Sequence, residues 1–508
     1  MYAHVRGIAL DGLKANIIKV EVDISNGLPS LDIVGLAGMA VKEARDRVRA
    51  ALKNSGCPLP LQRITVNLAP ADIRKEGSGL DLAIAVGILA AMGEIDSPKI
   101  GDYVFVGELS LEGKIKGVSG ILSMAVEVNK HTQFDLVVSP ENVVEARLNN
   151  SLSSVCAGSL SELISILQGK GSFQDDKAEV CKGAEEHKQD VDWSEIYGQQ
   201  QAKRALEVAA AGGHNAVMVG PPGSGKTLLA KAFAGILPPL SDEESLEVTQ
   251  LYSLAGLFSE EGKLITRRPF RHPHHTATIA GMIGGGHKMK PGELILANHG
   301  VLFLDELPEF SREVLESLRQ PLEDRRIVLI RQRGSVEYPA RVSLVAAMNP
   351  CRCGFFGDGA ITCTCTPTQV SHYRNRVSGP LMDRMDIQIE VPRLSYDKLK
   401  KNSPNPEKTE EVKKRVEKTR GIQSKRYGKN KTNAEMTSRE TKEICRLDDR
   451  GEKLLRHVFD ARGLSARAHD RILRVARTIA DMSDSENIHP AHLAEALNYR
   501  TLDRQIEH

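Results

Sequence analysis

The sequence predicts a multidomain α/β protein: an α+β N-terminal unit, an α/β core with a parallel sheet, and a helical C-terminal lid. Three observations carry this expectation. Strand-like and helix-like runs alternate over residues 1–168. An apolar strand, a glycine-rich loop and a helix follow one another at 216–233. From about Asn433 onward the apolar pattern is helical. A chain of 508 residues is also too long for one ordinary core.

In the first unit, Asn16–Val22 and Arg63–Asn67 read as strands. Val41–Asn54 is amphipathic and basic, and Leu80–Met92 is an apolar, alanine-rich helix. Residues 169–191 are polar and lack apolar periodicity, which reads as a linker. The core spans 192–393. Residues 394–432 are basic, with 13 basic and 5 acidic side chains over 397–431, and read as a second, solvated linker, with a DNA-binding strip as the alternative. The lid occupies 433–508, with Leu464–Met482 and Ala491–Arg500 its clearest helices.

The core carries the chemistry. Gly220, Pro221, Pro222, Gly223, Ser224, Gly225, Lys226 and Thr227 fit G-x-x-x-x-G-K-[ST], the phosphate-binding P-loop. Ala216–Val219 precedes the loop as a strand and Leu228–Phe233 follows as a helix, which is the context the motif requires. Glycines let backbone N–H groups turn onto phosphate oxygens, and the helix N-terminus adds positive potential. Lys226 is expected on the β- and γ-phosphates of ATP, and Thr227 on Mg²⁺. Val301–Leu304 is a second apolar strand, ending in Asp305 and Glu306. This is the Walker B pattern: Asp305 is expected to hold Mg²⁺, and Glu306 to orient the attacking water.

Cysteines add a third element. Cys351 and Cys353, then Cys363 and Cys365, form two C-x-C pairs separated by nine residues. Four thiolates converging across a short glycine-rich loop suit tetrahedral Zn²⁺. His272, His274 and His275 are a second conceivable metal cluster, with packing or DNA contact the stronger expectation.

Composition bounds the rest. A net charge of +2 says little about partners. Hydrophobic content of 41% and charged content of 26% are those of a soluble globular protein. No apolar run reaches the roughly 18–20 residues that span a bilayer. The N-terminus lacks the shape of a signal peptide, so cytoplasmic localisation with reduced thiols is expected.

Further residues resemble the AAA+ class. Val345–Asn349 is a strand ending in an amide, similar to sensor 1, with Asn349 near the lytic water. Gly379–Asp386 resembles the arginine-finger segment of the magnesium-chelatase and MCM-helicase branch, which makes Arg384 a residue acting on a neighbouring subunit's nucleotide. Leu464–Arg467 resembles sensor 2, with Arg467 acting from the lid. Ile196, Tyr197, Gly198 and Gln199 resemble the segment flanking the adenine, in which Tyr197 and Gly198 contact nucleotide.

Over essentially the whole chain the sequence resembles the ComM (YifB-type) family of magnesium-chelatase-like ATPases. The strings that carry this are Phe270–His275, Pro291–Leu294, Gly300–Phe310, Asn349–Cys353 and Lys75–Asp81. The resemblance implies a homo-hexameric ring that hydrolyses ATP and moves along single-stranded or branched DNA. It points to a branch-migration helicase acting in natural transformation. The alternative is an ATP-driven remodeller of protein complexes or a chelatase-type motor. The first unit looks like the Lon-protease/S5 fold. Alignment with Lon puts Gly79 at the nucleophile position and Leu122 at the lysine position, with Ser78 and Lys116 out of register, so no proteolysis is expected. Residues 241–300 fit a pore-lining insert of this branch. Residues 327–338 read as a hairpin whose tip carries Arg331 and Arg333, expected to grip DNA phosphates.

Overall fold

The computed structural model describes residues 1–500, apart from 36–37, 73–74, 76, 96–97, 132, 149–153, 174–190, 259–261, 287–289, 332–333, 395–405 and 429. Two compact units emerge. The first is Met1–Glu185 with Asp242–Ile265 and Ile330–Tyr338; the second is Glu186–Ser241, Thr266–Leu329 and Pro339–His508. The core expected as one stretch from 192 to 393 thus lends two segments to the first unit. Most of the expected 169–191 linker, residues 174–190, lies outside the described residues.

The first unit is built on a seven-stranded mixed sheet. Its strands are β1 (Tyr2–Asp11), β2 (Lys14–Ser25), β3 (Ser30–Val34), β4 (Arg63–Ala69) and β5 (Tyr103–Phe105). After the small hairpin β6 (Glu108–Leu109) and β7 (Ile115–Lys116) come β8 (Asp135–Val138) and β9 (Ser154–Cys156). The order is β3-β4-β2-β1-β5-β8-β9. Alternation explains β2: Val20, Val22 and Ile24 are buried while Lys19, Asp23 and Ser25 are exposed. The expected helix at 80–92 forms as Asp81–Met92. It packs on β1 and β2 so closely that a Cβ on Gly87 would lie 2.9 Å from Val22 Cγ2. Asp242–Ala255 is a helix of this unit, held to the N-terminal end of the helix Ile121–Asn129 by a 3.2 Å bond from Gly120 N–H to Ser253 O.

The second unit is a five-stranded, all-parallel sheet with helices around it. Its strands are β10 (Ala216–Val219), β11 (Phe270–Arg271), β14 (Val301–Leu304), β17 (Ser343–Met348) and β18 (Ile387–Glu390). Between them the chain makes two small sheets, β12 (Gly284–Gly285) with β13 (Lys290–Pro291), and β15 (Arg326–Arg331) with β16 (Gly334–Pro339). The order β11-β14-β17-β10-β18 puts the first strand between the fourth and fifth of the five. Ligands bind at such a switch point, beyond the carboxyl ends of the strands. Both faces of β10 and β14 are buried, which is why these strands are uninterrupted apolar runs.

One element departs from expectation. The basic stretch read as a solvated linker contains a 19-residue helix, Thr409–Tyr427, packed on the helix Gln200–Gly212. Its buried face is Thr409, Val412, Val416, Thr419 and Gln423, at helical spacing. Three of those five are polar, so apolar counting misses the stripe. Their hydrogen bonds compensate burial: Trp193 N–H donates to Thr409 Oγ1 at 2.8 Å, and Gln423 Nε2 to Ala211 O at 3.0 Å. Outside that face Arg415 pairs with Glu207 at 2.6 Å. The lid helix Ala466–Met482 shares one hydrophobic core with the rest of the unit, joining Leu206, Phe233, Val416, Ile472 and Leu493. Among the described residues no helix is long and apolar enough to cross a membrane.

Candidate active site

The P-loop leaves β10 and enters the helix Lys226–Gly235. Gly223 and Gly225 have φ of +76° and +90°, a region that side chains with a Cβ rarely adopt. Gly220 is required for space instead, because a Cβ there would run into the Val391 carbonyl oxygen. Lys226 is 8% exposed, and its ammonium donates to Gly220 O at 2.7 Å, Pro221 O at 2.9 Å and Asn349 Oδ1 at 3.2 Å. Burial pushes its pKa below the usual lysine value, opposed by the charges of Asp305 and Glu306. Ser224 Oγ is buried and has no hydrogen-bond partner among the described residues. It is a free hydroxyl inside a loop shaped to receive phosphate oxygens.

Parallel pairing of β14 with β17 brings Asp305 and Asn349 to the same edge as the P-loop. Thr227 Oγ1 donates to Asp305 Oδ2 at 2.8 Å. Those oxygens are the hard ligands that Mg²⁺ takes. Asp305 Oδ1 accepts from the Glu306 N–H at 2.9 Å, and Glu306 sits at φ +52°. The Glu306 carboxylate is 56% exposed and lies 3.5 Å from His275 Nδ1. Close by, burial and then the charges of Glu309 and Glu306 push the Tyr373 phenol up to about 12.

The structure therefore brings Lys226, Thr227, Asp305, Glu306 and Asn349 together. Arg384 is engaged elsewhere. Its guanidinium donates to Arg319 O at 2.8 Å and Pro380 O at 2.6 Å and pairs with Glu323. Arg467 is exposed on the first turn of the lid helix. That helix is pinned to the segment carrying Arg384, because Arg471 reaches Asp386 at 2.9 Å. Burial would raise the Asp386 pKa, but Arg471 and His214 hold it well below the usual carboxylate range. Tyr197 is 47% exposed, and Gly198 takes φ +59° against Leu394. Gln199 was the less obvious member of that segment: its Nε2 donates to Pro392 O at 2.6 Å and to Ser224 O at 3.4 Å. Arg333 lies outside the described residues; Arg331 ends β15, and its side chain is likewise outside them.

The four cysteines converge. Cys351 Sγ lies 3.3 Å from Cys353 Sγ and 3.7 Å from Cys363 Sγ, and Cys353 Sγ lies 3.5 Å from Cys363 Sγ. All four sulfurs, Cys365 included, fall within 4.8 Å of one another. A tetrahedron with Zn–S bonds of about 2.3 Å has edges of roughly 3.8 Å, so the cluster is compatible with zinc. N–H groups of Phe355 and Thr364 bond the Cys353 sulfur and lower its pKa, whereas Cys363 and Cys365, despite backbone hydrogen bonds of their own, are raised by burial and the neighbouring sulfurs, so the four thiols share their protons unequally. The loop also touches the nucleotide side: Gly354, at φ +90°, faces Pro222, and a Cβ on it would lie 2.7 Å from Pro222 Cδ. The histidines do not form a metal cluster. His272 packs on Phe303 at 4.8 Å between centroids, His274 bonds Thr276 Oγ1 at 2.9 Å, and His275 turns to Glu306. Nothing in the spacing of Phe270–His275 marks the last contact, which depends on β11 lying beside β14.

In the first unit, Ser78 Oγ hydrogen-bonds the Glu108 carboxylate rather than a lysine. Leu122 is buried, and Lys116 is exposed opposite Glu108 in the β6–β7 hairpin.

A parallel sheet carrying a P-loop at its switch point, with Walker B acids and a polar amide on neighbouring strands, is consistent with the AAA+ class. Comparison with known proteins makes this specific. The family described as "Magnesium chelatase, subunit ChlI" matches residues 192–399. "Subunit ChlI of Mg-chelatase" matches 20–142, and "Magnesium chelatase, subunit ChlI C-terminal" matches 406–500. The chain is 45% identical to YifB of Escherichia coli (strain K12) over 98% of its length and 96% of that protein. It is 43% identical to the competence protein ComM of Haemophilus influenzae, over 98% of its length and 97% of that protein. A Lon protease of Solibacter usitatus is 24% identical over 143 residues, covering 27% of the chain and 18% of that protein. The chain belongs to the magnesium-chelatase-like family that includes YifB and ComM.

Proposed function

We propose that the protein is an Mg²⁺-dependent ATPase that works as a homo-hexameric ring on DNA, as a branch-migration motor in competence-linked recombination. The observation that carries the reading is the convergence of Lys226, Thr227, Asp305, Glu306 and Asn349 at one edge of the parallel sheet. Lys226 is held by loop carbonyls and Asn349, so its ammonium is already aimed into the loop that phosphate would fill. Thr227 and Asp305 would hold Mg²⁺, which when bound neutralises phosphate charge. Glu306 would accept a hydrogen bond from the attacking water, with Asn349 beside it. Arg384 of a neighbouring subunit would stabilise charge developing on the transferred group, and Arg467 would act from the lid. Tyr197 and Gly198 would flank the base.

The competence name of the Haemophilus relative supports DNA as the partner. Arg331 and Arg333, on the hairpin, would contact its phosphates. We take the four cysteines to hold a structural Zn²⁺, and the first unit to be a Lon-like module without peptidase activity. That last assignment is supported by Ser78 being spent on Glu108.

The test pairs hydrolysis with DNA binding. Glu306→Gln should keep ATP binding and lose hydrolysis by about 10²-fold or more, the range typical for removing general-base assistance. DNA binding should weaken steeply with salt, as phosphate contacts require. Wild-type protein that hydrolyses ATP yet binds no DNA at low salt would favour the remodelling alternative.

A further inference from the structure

Away from the nucleotide site, the first unit carries an open cavity of about 270 Å³ lined by His4, Arg6, Ile17, Lys19, Ala69 and Pro70. Strand pairing explains its composition. Arg6 on β1 stands opposite Lys19 on β2, and Lys19 stands opposite Ala69 on β4. Partners in one cross-strand row project to the same face, so two long cations lie beside a short alanine. His4 and Ile8 share that face, because alternate residues of a strand do. The helix Ile121–Asn129 covers part of it and buries Ile8. The cover does not extend to the cations: His4 is exposed and the Lys19 side chain is 46% exposed.

Like charges placed opposite each other across a ladder destabilise a sheet. Local rules are broken in this way mainly where function requires it. No acid lines the cavity. Lys19 pairs outside it with Glu21 at 2.8 Å, and that carboxylate also accepts from Asn67 Nδ2 at 2.9 Å and from the Tyr2 hydroxyl at 3.3 Å. One such pair leaves the ammonium further N–H donors. Arg6 is held in place by its surroundings. The guanidinium carbon lies 4.4 Å from the centroid of the Phe134 ring, and Nη1 donates to Gly101 O. This fixes the fork while the printed bond occupies only one of its three nitrogens. The carbonyl of Pro70, which would repel an anion, accepts from the ammonium of buried Lys75.

We propose that this cavity binds a phosphate group, with Arg6 and Lys19 as charge-assisted donors and His4 as a ring N–H donor. Three donor groups on separate side chains match the several oxygens of a phosphate better than the two of a carboxylate. The volume is near the lower end for ligand sites, which suits a phosphate and what is directly attached to it rather than a large cofactor. The same chemistry is offered by free phosphate and by the backbone of a DNA strand. The site stands apart from the P-loop and does not depend on the proposed ATPase role.

The experiment has one arm for each source and uses the full chain. Calorimetric titration with inorganic phosphate, at an ionic strength held constant with chloride, is run in Lys226→Ala so that the P-loop cation does not compete. Anisotropy of a labelled single-stranded oligonucleotide over a salt series is run in the otherwise native chain. Arg6→Gln with Lys19→Gln should raise Kd about tenfold or more, the scale of losing charge-assisted hydrogen bonds. For DNA it should also shallow the slope of log K against log salt by about 1.4, or about 0.7 for each lost contact. Loss confined to the phosphate titration assigns the site to free phosphate, and loss in the salt series assigns it to the strand; either supports the proposal. No binding of either probe, or Kd values unchanged for both, would overturn it. Charge reversal separates electrostatics from packing: Lys19→Glu should weaken binding more than Lys19→Gln, and equal losses would also overturn the proposal. If Arg6→Gln fails to fold by thermal melting, the two substitutions at half-exposed Lys19 carry the same test. A native chain that binds no DNA at low salt would remove the DNA role proposed above, while the phosphate titration would still decide the cavity.

Discussion

Gly354→Ala probes how the cysteine loop supports the nucleotide site. Gly354 has φ +90°, and a methyl group there would sit 2.7 Å from Pro222 Cδ and 3.3 Å from Pro222 Cγ. A residue with a Cβ held at such a φ costs about 1–2 kcal/mol. A contact that forces neighbours apart in a packed region adds about 1–3 kcal/mol. Pro222 belongs to the P-loop, so relief of the clash moves either the cysteine loop or the phosphate cradle. If half of a total near 3 kcal/mol falls on the cradle, ATP binds about tenfold more weakly, at 1.4 kcal/mol per decade. The assay is equilibrium binding of a fluorescent ATP analogue, run beside a thermal melt. Gly359→Ala is the control, since a Cβ there meets nothing within 4 Å and its φ is ordinary. Unchanged affinity and melting temperature in Gly354→Ala would refute the idea that the cysteine loop buttresses the P-loop.

The protein should carry about one Zn²⁺ per chain, and chelation should weaken ATP binding in the same direction as Gly354→Ala; occupancy well below one half in protein never exposed to chelator would count against the site. Arg384→Ala should abolish most hydrolysis and recover part of it when mixed with Lys226→Ala, because a mixed interface can pair an intact loop with an intact arginine, and such arginines supply 10³–10⁵ in rate elsewhere. Since Arg384 also bonds Arg319 O and Pro380 O, its melting temperature must be followed alongside. Arg471→Ala leaves the Asp386 carboxylate with the His214 hydrogen bond and the more distant charge of Arg474, and should cost about 3 kcal/mol near neutral pH, read by denaturant unfolding. The folded pKa of Asp386 is depressed, so its contribution to stability is present above the unfolded carboxylate value of about 3.9 and fades as pH falls. The gap between variant and wild type should accordingly persist from pH 7 down to about pH 4 and narrow only as pH falls below that.

The candidate phosphate site was legible because its pattern is local: eight consecutive residues form the loop, and the acids stand at the end of a doubly buried strand. Asn349 was singled out by its resemblance to sensor 1, and its bond to Lys226 follows from β17 lying beside β10. The helix Thr409–Tyr427 was hidden because its buried stripe is mostly Thr and Gln, which count as solvent-facing until their hydrogen bonds are seen. The segments Asp242–Ile265 and Ile330–Tyr338 interrupt the core in sequence but pack with the first unit, a long-range choice that no local pattern encodes. His275 is the same kind of case: one histidine among three, distinguished only by which strand its arm runs beside.

The cluster around Lys226 and Glu306 is proposed to drive an ATPase coupled to DNA. The most direct measurement is steady-state ATP hydrolysis with no DNA and with single-stranded, duplex and branched DNA, for wild type and Lys226→Ala. Mg²⁺-dependent turnover is expected, stimulated by DNA, most of all branched or single-stranded DNA, and abolished by Lys226→Ala. Turnover absent in wild type, or retained in Lys226→Ala, would contradict the site; robust turnover indifferent to every DNA would contradict the coupling.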